Sequence, residues 1–168
     1  MNNNNYELDD FKFNLQLLLS NCRNLYNSEA LWKDELNIFA ESVFTKILIQ
    51  LNDILQKLKK CNLCIIWQDD INKEDGNITD LVSKLRNASC HIDSNNNHIN
   101  KNKKDTKFVF NKISGNSPNA FKRGNLVLGC NYKDDIAFYY GEYRIYLKRH
   151  IERLIKELPQ EIEKINQA

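Results

Sequence analysis

Between Leu31 and Leu58 apolar side chains recur three to five residues apart, at Leu31, Leu36, Phe39, Val43, Ile47, Leu51, Ile54 and Leu58. Only a helix brings a stripe of that period onto one side of the backbone. At 3.6 residues per turn it runs for roughly eight turns, long for a globular helix and usual for an up-and-down bundle. Ser28 stands where an N-cap is wanted, and Lys57, Lys59 and Lys60 complement the dipole at the far end. The rest of the chain has to pack around this element.

Other segments carry the same period. Leu8, Phe11, Leu15, Leu18, Leu19 and Cys22 predict a first helix over 6–24. Asn77 followed by Asp80 resembles a capping box, opening a helix with Ile78, Leu81, Val82, Leu85, Ala88 and Ile92 on one face. Asp134 and Asp135 lead into a last predicted helix over 136–158, striped by Tyr140, Tyr143, Leu147, Ile151, Leu154 and Leu158 and stopped by Pro159. Phe108–Phe110 and Leu126–Leu128 read as two short strands of a small hairpin, and the Asn/Lys-rich stretch 93–107 as a mobile loop. Five glycines and two prolines are few for a sandwich or barrel. The expected fold is all-α, an up-and-down bundle of four to five helices with a small β-hairpin excursion, forming one domain over 1–168.

Charge interrupts every long apolar run, so no transmembrane helix is expected, and 1–5 has neither the basic nor the apolar region of a secretory signal. Five cysteines without such a signal argue against a disulfide framework and for reduced thiols in a cytoplasmic protein. Cys61 and Cys64 form a lone C-x2-C with no second pair to complete a zinc site. The net charge is only +2, but 93–125 holds seven Lys/Arg, among them Lys101, Lys103, Lys104 and Lys107, against Asp93 and Asp105. Such a segment can meet a phosphate backbone, and it can equally be a solvated loop.

The most chemical stretch is Arg86-Asn87-Ala88-Ser89-Cys90-His91. It sets a permanent cation, a hydrogen-bonding amide and a titratable base within about one and a half helical turns. Asn87 and His91 share a face, with Arg86 about 100° round from Asn87. Cutting RNA by internal attack needs a group to take the 2′-OH proton, a group to protonate the leaving oxygen, and a cation against the charge growing on phosphorus. His91 can be base or acid, Arg86 binds phosphate in a fork, and Asn87 can orient either. One motif supplies one histidine, so paired acid and base roles call for a two-fold dimer that brings two sets together. No carboxylate pair or His/Cys cluster accompanies the motif, and neither a metal nor a cofactor is called for.

The string Leu85 to His91 resembles the motif of the HEPN superfamily, an arginine, a polar residue and a histidine further on. The segment Asp134-Asp135-Ile136-Ala137-Phe138, with Gly141 and Tyr146 to His150, is similar to the C-terminal helix of a small stand-alone branch of that superfamily. The resemblance implies an all-α homodimer and a metal-independent endoribonuclease of toxin or phage-defence systems, with an antitoxin or defence partner. It assigns catalysis to Arg86, Asn87 and His91; the loop lysines and Lys148 are the candidate RNA contacts, and His150 could line the same groove. Two rival readings remain. One is a catalytically inactive HEPN-like module that binds RNA, a nucleotide or a protein. The other is an unrelated helical adaptor presenting Tyr143, Leu147 and Ile151 to a partner.

Overall fold

The computed structural model describes residues 3–33, 38–99, 106–123 and 126–166. Helix α1 (Asn3–Tyr26) is followed by the single turn α2 (Glu29–Trp32), the long α3 (Ile38–Lys60) and α4 (Ile78–Cys90). Three of the expected helices are therefore present. The stretch from Ser28 to Lys60 is not one helix, since Lys33 leaves α2 in an extended conformation. Leu15, Leu19 and Cys22 of α1 meet Phe44, Ile47, Leu51, Ile54 and Leu58 of α3 in a core from which water is excluded. Each such side chain contributes about 1.5–3 kcal/mol of burial.

The all-α expectation is wrong. The described residues are 58% helical and 19% strand, and the protein is mixed α/β with three small antiparallel sheets. Strands β1 (His98–Ile99) and β2 (Thr106–Lys107) pair; β4 (Ser117–Arg123) pairs with β5 (Leu126–Cys130); β3 (Asn111–Ser114), β6 (Ile136–Tyr140) and β7 (Tyr143–Tyr146) form a three-stranded sheet with β6 in the middle. The difference is concentrated in 136–146, whose spacing predicts the first half of a helix. That segment is a hairpin turned by Gly141 and Glu142, and Gly141 adopts φ +57°. A Cβ on Gly141 would stand 2.3 Å from the Asn96 carbonyl oxygen, so neither the turn nor the contact admits a side chain. The second family-like segment is thus turn and strand from Asp134 to Tyr146, and only Leu147 to His150 of it is helical.

A physical reason explains why helical spacing appeared there. Strand β6 is buried on both faces, and all five of its residues are apolar, leaving no alternation to read. Phe138 and Tyr140 face the helices, where Phe138 stacks on Phe44 of α3 at 4.2 Å between centroids. Ala137 and Tyr139 face the other way, into a second core with Leu128 and Cys130 of β5. The molecule is therefore layered: helices, central sheet, then the β4–β5 hairpin. Phe108–Phe110 lies outside any strand, whereas Leu126–Leu128 falls within β5 as expected.

The helical pattern resumes at Leu147 as a π-type stretch (Leu147–Glu152) continuous with α5 (Arg153–Glu163). Pro159 sits inside α5 and does not end it. Proline removes the bond to the Ile155 carbonyl and crowds that carbonyl, and burial of Ile162 keeps the next turn docked. Lys12 and Gln16 of α1 bind Glu163 and fix that end of the helix. Tyr143, Leu147 and Ile151 are 4%, 0% and 0% exposed, so the adaptor face proposed for them is core. No helix among the described residues is long and apolar enough to cross a membrane.

Candidate functional site

Helix α4 begins with the expected capping box: the Asn77 side chain accepts the Asp80 N–H at 3.1 Å, and the Asp80 carboxylate accepts the Asn77 N–H at 3.4 Å. Leu81, Val82, Leu85 and Ala88 face the core, and Asn87 on the far side is exposed. Arg86 lies between, half-buried, with its Nε inaccessible and unbonded among the described residues. Its Nη1 donates to the Asn87 amide oxygen at 3.1 Å. No carboxylate among the described residues pairs with Arg86, although Arg149 and Arg153 are both ion-paired.

His91 lies one residue beyond the helix. It is the C-cap of α4, with φ −129° and ψ 100°, and its N–H still bonds the Asn87 carbonyl at 3.2 Å. The imidazole is exposed and makes no hydrogen bond or ion pair among the described residues. Asn87 was expected to pair with either His91 or a phosphate, and it pairs with Arg86 instead. The arrangement is a guanidinium–amide pair with an unengaged imidazole about one turn along. It can grip a phosphate oxygen and exchange a proton.

Of the expected RNA contacts, the structure describes Lys107 and Lys148. Lys101, Lys103 and Lys104 lie outside the described residues. Lys107 is bound to Asp93 at 3.1 Å, two residues beyond His91 in sequence. Lys148 lies 3.9 Å from Asp134 and 5.8 Å over the Trp32 ring, and no hydrogen bond or ion pair joins it to Arg86 or His91.

Lys148 belongs instead to a cleft of about 540 Å³ lined by both signs of charge, including Asp69, Asp70, Arg149, Arg153, Lys156 and Glu157. Arg149 lies flat on Tyr132 at 3.4 Å and Arg153 on Trp67 at 4.2 Å. Arg153 binds Asp69 at 2.8 Å and Glu157 at 2.6 Å, and its bond to Asp69 holds that carboxyl below the usual carboxylate range. His150 in this cleft is fully buried and structural. The Tyr146 N–H donates to its Nδ1 at 3.1 Å, so the proton sits on Nε2 and donates to the Asp69 carbonyl at 2.9 Å. Burial lowers its pKa to about 4. A neutral histidine with both nitrogens occupied lines no RNA groove.

Two residues that organise the molecule escaped the sequence reading. Asp135 is buried, and its carboxylate accepts from the backbone of Ile136, Lys148 and Arg149 and from the Arg149 guanidinium, at 2.7–3.1 Å, capping the helix start at Leu147. Its sequence signal is an acid ahead of a helical stripe, although the helix it caps begins at Leu147, eleven residues after Ile136. Asn97, also buried, caps the other end of α4 and lay hidden among identical asparagines.

No family model matches the sequence, and neither curated proteins nor solved structures yield a match. The five cysteines are free, and no group of three or more potential ligands for a metal occurs among the described residues.

Proposed function

We propose that this protein is a metal-independent endoribonuclease of HEPN type, acting as a homodimer in which two Arg86/Asn87/His91 sets face one RNA strand. The observation that carries the reading is the state of the two key side chains: an exposed imidazole and a guanidinium bonded to an amide, neither of them paired with an acid among the described residues. Arg153 and His150 are held differently, the first by Asp69 and Glu157 and the second by backbone groups on both ring nitrogens. In the proposed reaction a histidine takes the 2′-OH proton, that oxygen attacks phosphorus, and the departing 5′-oxygen receives a proton from the second histidine. The products are a 2′,3′-cyclic phosphate and a free 5′-hydroxyl. Arg86 stabilises the charge that builds on the non-bridging oxygens. A cytoplasmic toxin or phage-defence role, with an antitoxin or defence partner, accords with such an activity.

One observation favours a second reading, a catalytically inactive module that binds RNA, a nucleotide or a protein. The Asn87 amide is turned to Arg86 and leaves the imidazole unoriented. Substitution separates the two. His91→Ala should abolish cleavage while leaving the melting temperature nearly unchanged, because the ring makes no contact that the fold needs. Arg86→Lys should lower the rate on the order of a hundredfold, since an ammonium keeps the charge and loses the fork. Wild-type cleavage by either variant contradicts the catalytic assignment; RNA binding without cleavage by the wild type favours the second reading.

A further inference from the structure

Helix α4 ends without the glycine that usually turns the chain and shields its last carbonyls. Those carbonyls are met from six residues beyond His91. The Asn97 side chain is 0% exposed, and its Nδ2 donates to the carbonyls of Ala88 and His91 at 3.0 Å each, with Ile92 at 3.5 Å. Facing carbonyls demand an amide nitrogen there, and the Oδ1 is left buried without a partner among the described residues. Asn97 is itself held on both sides: its N–H bonds the Ser94 carbonyl at 3.0 Å, and its carbonyl accepts the Phe108 N–H at 2.7 Å. The Phe108 carbonyl in turn accepts the N–H of Gly141, in the β6–β7 turn, at 2.6 Å.

We infer that Asn97 is the positioning residue of the site: it fixes the backbone of His91 and ties it to the central sheet. This rests on the ribonuclease reading for its consequence in catalysis, but not for its geometry. His91 follows the last helical residue and has no side-chain partner among the described residues, so its backbone bonds limit where the ring can stand, and Asn97 supplies the side-chain one among them. The carbonyl also accepts the Ser94 N–H at 2.8 Å, a bond that belongs to the same turn. The β part of the fold thus holds the histidine, a task a helical bundle alone would leave to solvent.

The test compares Asn97→Ala with Thr79→Val, which removes an equally buried side-chain bond, to the Ile65 carbonyl at 2.6 Å, from the opposite end of the same helix. Two quantities are read: the 15N and 13C NMR signals of the His91 ring, assigned by their loss in His91→Ala, and kcat and KM for RNA cleavage. Asn97→Ala should shift and broaden the ring signals and lower kcat at least tenfold with KM within twofold; Thr79→Val should do neither. Unchanged ring signals in Asn97→Ala, or the same losses in Thr79→Val, overturn the assignment. Should Asn97→Ala fail to fold, Ser94→Ala loosens the same turn by removing the hydroxyl that receives the Asn96 N–H. It must then move the His91 signals in the same direction, and unmoved signals overturn the proposal. If the wild type cuts no RNA, the ribonuclease reading fails alone, and the ring signals still decide the role of Asn97.

Discussion

Two histidines of this chain show how burial assigns a role. His91 stands exposed with its ring unengaged among the described residues, while His150 is sealed between Tyr146 and the Asp69 carbonyl. The folded protein holds His150 neutral down to about pH 4, whereas the unfolded chain takes up its proton near the usual value of 6.5. Its contribution is complete above pH 6.5 and is lost as pH falls toward 4. Between pH 7 and pH 5 this single group should remove about 2 kcal/mol of stability. Urea unfolding of the wild type and His150→Gln at both pH values checks this: the difference between the two proteins should shrink by that amount at pH 5. A constant difference would mean that the ring is not held neutral.

At the scale of elements, α1, α3 and α4 were legible because each buries one face against neighbours and keeps the other wet, which writes a 3.6-residue period into the sequence. The capping box of α4 was legible because it is local. Strand β6 was not, since a strand buried on both faces has no alternation and its apolar run mimics a helix. Gly141 was the available clue, as a lone glycine inside an apparent helical stripe is costly. Gly141→Ala should therefore destabilise the protein by about 3 kcal/mol, from the positive φ and from the clash with the Asn96 carbonyl together. Phe44→Ala should cost about 3–5 kcal/mol, because it empties the junction where α3 stacks on β6. Chemical denaturation measures both, and a loss below 1 kcal/mol in either would contradict the layered packing.

For the whole molecule, the candidate set Arg86, Asn87 and His91 is legible from its spacing, but the contacts around it are not. Asn97 reaches back to Ala88, His91 and Ile92 and Asp135 reaches forward to Lys148 and Arg149, spacings that no helix or strand period marks. The composite site also makes a claim about assembly. Cys90 is exposed in the last turn of α4 beside His91, and a two-fold that joins the sites brings two copies of it together. In a Cys61→Ser, Cys64→Ser background, a short bis-maleimide should link two chains through Cys90. Failure to link a protein that sediments as a dimer would put the α4 ends on opposite surfaces.

The chemistry itself is tested most directly by cleavage of matched RNA and DNA oligomers in excess chelator, followed by analysis of the new ends. Internal attack requires the ribose 2′-OH and no metal. RNA should be cut to 2′,3′-cyclic phosphate ends, and DNA of the same sequence should remain whole. Intact RNA, equal cutting of DNA, or cutting only when divalent ions are restored would contradict the assignment of the reaction to Arg86 and His91.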